Sequence, residues 1–218
     1  MAYQRTDTGV IEHGAALSAL VSPVRQEIVD TIEALGGEAA VTEVAAQLGR
    51  PADGLYYHLR RLVAAGVLHE DGGNGAGSGR RYRTAAPRGK RMRLRYGRGS
   101  RADNAAVARV AGGLLRTAER DFAAALRDGT ANGEGPLRDL WASRLKGWVG
   151  DAELREINRL LVRLGELLKR PRSARRDRLV TLAWMLAPID GKPVRRETPV
   201  PRTPKPRRKP ARRQRLRT

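Results

Sequence analysis

The 218-residue chain contains no cysteine. Disulfides and thiolate metal sites are therefore excluded. Histidine is almost as scarce. His13, His58 and His69 are the three present, far apart and with no HxxxH or HxxE spacing. A zinc site needs about three or four converging ligands, so no metal and no other cofactor is expected. Aromatic residues make up 4% of the chain, with one phenylalanine, Phe122. No apolar run reaches the ~20 residues of a membrane span. The opening MAYQRTDTGVIEHGAAL lacks the continuous apolar stretch of a secretory signal, so a cytoplasmic location is expected. Also missing are a GxGxxG strand–helix opener, a GxxxxGK[ST] phosphate loop and a nucleophile elbow; no enzymatic role is expected. Acid is underrepresented, with 23 Asp and Glu against 43 Lys and Arg, a formal charge of +20. Such an excess implies a polyanionic partner, most simply nucleic acid. A membrane surface fits poorly, because no amphipathic stretch joins a basic face to large aromatic anchors.

What is present centres on residues 42–68, TEVAAQLGRPADGLYYHLRRLVAAGVL. Thr42 is a candidate N-cap of a short helix. Val44, Ala45 and Leu48 give that helix an apolar side, and Gly49 ends it. Arg50-Pro51 forbids simple continuation, since the residue before proline is pushed out of the helical region. A second helix is predicted over 52–65, with Leu55, Leu59, Leu62 and Val63 at i, i+4, i+7 and i+8 on one stripe. Asp53, Tyr57, Arg60 and Arg61 point away from that stripe, with Tyr56 and His58 on its flanks. Arginine can grip guanine bidentately, and tyrosine and arginine can reach phosphates. An ordinary amphipathic hairpin with a solvated basic face would carry the same pattern.

Val67–Asp71 reads as a strand, the glycine-rich stretch 72–79 as a loop, and Arg80-Arg81-Tyr82-Arg83-Thr84 as a returning strand. A helix pair followed by such a hairpin is a winged helix-turn-helix. Residues 17–86 resemble the ArsR-type winged-helix transcriptional regulators of bacteria. The resemblance rests on LVSPVRQEI (20–28), VAAQLG (44–49), YHLRRL (57–62) and AGVL (65–68), and covers about a third of the chain. It implies a homodimer, in the manner of a repressor, binding double-stranded operator DNA through the second helix and the wing at 68–84. The DNA-contacting candidates are then Asp53, Tyr56, Tyr57, His58, Arg60, Arg61, Arg80, Arg81 and Arg83, and the protein would be nucleoid-associated. Metal-sensing relatives use cysteines near the first helix of the pair, or Asp/His pairs on the last helix. Val41-Thr42-Glu43-Val44 and the histidine-free later helices match neither. His58 sits at the family's usual histidine position and reads as a packing or phosphate residue.

In chain order, residues 1–12 show no periodicity and are expected to be mobile. Helices are predicted over about 13–20 and from Pro23 to Leu35, the latter capped by Ser22 with the stripe Val24, Ile28, Ile32 and Leu35. Together with the hairpin they make a DNA-binding domain at 13–86. Residues 87–102 form a basic linker or a strand over Met92–Tyr96, marking the domain boundary. A helical dimerisation or effector domain follows at 103–190. It contains a helix at 103–128 in which Gly112-Gly113 is either a weakness or a close approach. A short helix at 137–148 is followed by one from Asp151 with the seam Leu154, Ile157, Leu161, Leu164 and Leu168. Residues 179–189 read as a strand able to pair with Met92–Tyr96. Trp141, Trp148 and Trp184 either fill a core or line a small-effector pocket. Residues 191–218 form a tail with nothing to bury and are expected to be disordered. The expected class is mainly α, an α+β chain. The competing functional reading is a sequence-indifferent architectural or RNA-binding protein driven by charge alone.

Overall fold

The computed structural model describes residues 10–11, 14–72, 80–87, 92–94, 100–170 and 172–190. It contains six helices and a small three-stranded sheet, the mainly α, α+β class read from the sequence. Val10–Ile11 forms β1, which pairs in parallel with β5, Arg93–Leu94. The expectation of a mobile segment up to residue 12 therefore fails at these two positions. Ile11 is 2% exposed, and burying one isoleucine side chain is worth about 1.5–3 kcal/mol.

Helix α1 spans Gly14–Leu20 and α2 spans Pro23–Ala34. Ser22 stands at the cap position of α2 but its hydroxyl makes no cap bond. The start of α2 rests on Pro23, whose fixed φ suits a first helical residue. Strand β2, Glu38–Ala40, runs directly into α3, Val41–Leu48. Ala40, and not Thr42, occupies the cap position. The Glu43 carboxylate accepts from the Ala40 N–H at 2.6 Å, covering a donor that the helix start leaves free. Gly49 closes α3 in the left-handed region at φ 60°, a conformation that favours glycine.

Helix α4 spans Asp53–Ala64. Its leucine stripe is where the periodicity placed it: Leu55, Leu59 and Leu62 are all buried. The hairpin follows as β3, Leu68–Asp71, and β4, Arg81–Thr84, in a sheet of order β2-β4-β3. Tyr82 and Thr84 point into the core, while Arg81 and Arg83 alternate outward. Strand β2 was not legible in the sequence, since Glu38-Ala39-Ala40 is short and carries no apolar alternation.

Helix α5, Arg101–Asp128, opens with a genuine capping box: Ser100 Oγ accepts from the Asp103 N–H at 3.2 Å, and Asp103 accepts from the Ser100 N–H at 3.2 Å. It packs on α1 and α2. Ala106 and Val110 join the same core as the winged helix, so that core does not stop at residue 86.

Beyond α5 the expectations fare worse. Residues 137–148 form no helix, and residues 179–189 form no strand. A 12-residue amphipathic segment is marginal alone, and a strand needs an edge to pair with; among the described residues β5 offers only two residues. Trp141, Trp148 and Trp184 are 66%, 76% and 44% exposed, so among the described residues they neither fill a core nor enclose a pocket. Helix α6, Asp151–Leu168, buries no residue, and its leucine seam is uncovered among the described residues. The chain divides into two compact units, Met1–Ala183 and Trp184–Thr218. In the second, residues 184–190 have no regular structure. Among the described residues no helix is long and apolar enough to cross a membrane. The expected tail at 191–218 and loop at 73–79 lie outside the described residues.

Candidate nucleic-acid interface

Three buried leucines fix the rotation of α4, and that rotation decides what the helix offers outward. Asp53, Tyr57, Arg60 and Arg61 are exposed, with Tyr57 at 58%. Neither Arg60 nor Arg61 has a carboxylate partner among the described residues, so both guanidinium groups are uncommitted there. Tyr56 is half-buried and packs against the core, which makes it a support of the helix more than a reader. The His58 and Tyr57 rings meet edge to face, with centroids 5.3 Å apart and planes at 74°.

The expected wing arginines are held differently. Arg80 lies 3.3 Å from Glu70, and Arg83 lies 3.7 Å from Asp71. Arg81 Nε donates to Glu38 at 2.7 Å, and its Nη1 lies 3.4 Å from Glu43. The Glu38 hydrogen bond is the main cause that raises the Arg81 pKa above its ordinary value. A phosphate reaching these arginines must compete with carboxylates, which it need not do at Arg60 and Arg61. Of the nine expected contact residues, Arg60 and Arg61 on α4 are uncommitted among the described residues, while the three wing arginines are paired.

A cleft flanks α4. Val24, Arg50, Pro51, Gly54, Leu55 and His58 line about 200 Å³. His58 Nδ1 is itself buried, without a hydrogen-bond partner among the described residues. Burial first, then the charges of Arg25 and Arg50, holds the His58 pKa below its ordinary value. Behind the cleft lies Glu27, whose side chain is only 7% exposed. Its carboxylate accepts from Arg50 at 3.0 Å and also pairs with Arg120 of α5. The Glu27 bond is the largest cause that raises the Arg120 pKa. Sequence reading had not singled out Glu27 or Arg50. The local signal was an arginine immediately before the turn proline, with no indication of its partner 23 residues earlier. Among the described residues no group of three His, Cys, Asp or Glu is placed to hold a metal ion.

Comparison with known proteins agrees with this geometry. Residues 20–71 match the family model of a helix-turn-helix domain, a span running from the end of α1 to the end of β3. No curated protein matches the chain. A helix-turn-helix domain supports DNA binding and transcription regulation as the role of this part of the chain.

Proposed function

We infer that the protein is a transcriptional regulator that recognises an operator by inserting α4 into the DNA major groove. The observation that carries this reading is the two-sided character of α4. Leu55, Leu59 and Leu62 are 1% exposed or less, while Tyr57, Arg60 and Arg61 are exposed on the other side. A helix locked at three points presents its outward groups in fixed directions, which base readout demands. The wing at 68–84 would follow the backbone. Asp53, Tyr56, Tyr57, His58, Arg60, Arg61, Arg80, Arg81 and Arg83 are proposed as the contact set. The domain division is 13–86 for DNA binding, 87–102 as connector and 103–190 for dimerisation or effector response. The protein would act in the cytoplasm as a homodimer of the ArsR type, on a partly palindromic site and without catalytic activity.

The test is selection of genomic fragments by the purified full chain at near-physiological salt. Enrichment of one sequence family, preferred over random DNA by about a thousandfold or more, supports a regulator. Tight, salt-sensitive binding with no enriched sequence would favour the charge-driven alternative.

A further inference from the structure

Helix α6 carries an apolar seam that nothing covers among the described residues. Leu154, Ile157, Leu161, Leu164 and Leu168 follow the 3-4-3-4 spacing that one helix presents to another. Leu160 and Leu167 widen the stripe, and none of the seven is buried. The residues just before the helix add to it: Leu145, Trp148 and Val149 are 90%, 76% and 51% exposed. A soluble monomer rarely leaves a large apolar face open, and such a face marks a contact with another protein. The charges of α6 say which protein. Residues 151–156 hold Asp151, Glu153 and Glu156 against Arg155, while residues 163–170 hold Arg163, Lys169 and Arg170 against Glu166. That polarity suits the helix's own dipole. It also makes α6 complementary to a reversed copy of itself, whereas a parallel copy sets acid on acid and base on base.

We propose that the α6 seam is the contact surface for a second copy of this chain, the two α6 helices packing antiparallel. The proposal rests on the homodimer of the reading above and says which surface makes it; DNA binding does not enter it. Reversal about position 159 sets Leu154 of one copy against Leu164 of the other, and Ile157 against Leu161, so each layer joins two apolar residues. The helix has 18 residues, about 27 Å of length. A face this long and ~10 Å wide covers roughly a third of the ~800 Å² that each partner gives to a standard interface. The flanks supply more. Trp148 and Val149 directly precede Gly150 and α6, so a reversed copy brings them beside Lys169 and Arg170 at the far end of its seam. A tryptophan can bury about 150–250 Å², and its ring face attracts an arginine.

The chain has no cysteine, so single engineered thiols report the pairing without background. Full-length Leu154→Cys and Leu164→Cys are oxidised singly and after coexpression. The expected result is a disulfide-linked dimer from the coexpressed pair and little from either variant alone. Reversal puts position 154 opposite 164 and about 15 Å along the axis from its own counterpart. Crosslinking of Leu154→Cys with itself means a parallel pair and overturns the proposal, as does the absence of any crosslink. Sedimentation of the chain without engineered thiols is the second readout. Leu161→Glu should raise the dimer dissociation constant about tenfold or more, while Arg159→Gln, on the outer side of α6, should leave it unchanged. Leu161→Ala, which favours helix, should act in the same direction as Leu161→Glu, so that loss of α6 itself is not the cause. Helix α5 exposes Leu115 and Leu126 and is the competing surface. A dimer broken by Leu115→Glu and untouched by Leu161→Glu moves the interface to α5: the homodimer stands and the proposal falls. A chain that sediments as a monomer at every concentration ends both.

Discussion

Gly113 of α5 lies against the side chain of Gln26 in α2: a Cβ placed at 113 would stand 2.8 Å from Gln26 Nε2. The Gln26 amide cannot easily yield. It is buried and donates to the Leu20 carbonyl at 2.6 Å and to the Val110 carbonyl at 3.1 Å, so it ties α1, α2 and α5 together. Gly113→Ala should therefore destabilise the protein by about 1–3 kcal/mol of overpacking, less the ~1 kcal/mol that alanine gains over glycine in a helix. Gly112→Ala is the matched control. Its Cβ would meet only the Arg116 Nη1 tip at 3.3 Å, and it should stabilise by up to ~1 kcal/mol. Denaturant melts of the two variants should move in opposite directions; equal behaviour would mean that α5 does not seat on Gln26 in this way.

On α4, neighbouring residues should fail for different reasons. Leu59 is 0% exposed, so Leu59→Ala should cost about 2–5 kcal/mol of stability. Arg60→Ala and Arg61→Ala remove exposed side chains and should leave the melting curve nearly unchanged. Each should weaken operator binding by roughly 1–3 kcal/mol and relax preference at one base position. If both arginine variants bind the operator as the parent does, α4 is not the reading helix.

The wing arginines predict the opposite sign. Glu38 holds Arg81 at 2.7 Å, and the two side chains are 39% and 43% exposed. An exposed pair of this kind contributes little to stability, because solvent screens it. Glu38→Gln should therefore melt close to the parent while freeing Arg81 and removing a negative charge from the DNA side. Duplex affinity should rise about two- to fivefold at low salt. Glu38 is the cleaner choice, because Glu43 also caps α3 through Ala40. A fall in affinity would show that Arg81 needs Glu38 to be positioned.

The helix-turn-helix was readable because its burial follows a 3.6-residue period and its turns are marked by Gly49, Pro51 and Gly66. The hairpin was readable because Tyr82 and Thr84 alternate with Arg81 and Arg83. What depends on distant contacts was not readable. The alternation over Met92–Tyr96 offered a strand, but its pairing with Val10–Ile11, more than eighty residues earlier and without any strand pattern, was not announced. The cleft is made by Val24 meeting Arg50, Leu55 and His58, and no spacing rule announces that meeting. Past residue 129 the periodicity located α6 from Asp151 but misled at 137–148. Leu137, Trp141, Leu145 and Trp148 share a helical side in the sequence, yet they are 66–90% exposed and carry no helix. Arg138 instead stacks over the Trp141 ring at 3.7 Å, and Asp139 pairs with Arg178 at 3.0 Å.

More than half of the chain's net charge lies outside the described residues. Residues 192–218 hold twelve Lys and Arg against one Glu, a net +11 out of the chain's +20, and six of its twelve prolines. A segment of this composition has little to bury. It can follow phosphates without fixed register, and each phosphate neutralised steepens the dependence of log affinity on log salt by about 0.9. Four or five simultaneous contacts are fewer than its charge allows. Truncation after Gly191 should weaken binding to operator and to random DNA by similar factors, with the salt slope shallower by about 4. The ratio between the two DNAs should hardly change, because phosphate contacts position a protein without reading sequence. Titrating both DNAs with full-length and truncated protein at several salt concentrations separates the outcomes. An unchanged slope would remove the tail from DNA binding. A loss confined to the operator would mean that its arginines read a narrow minor groove.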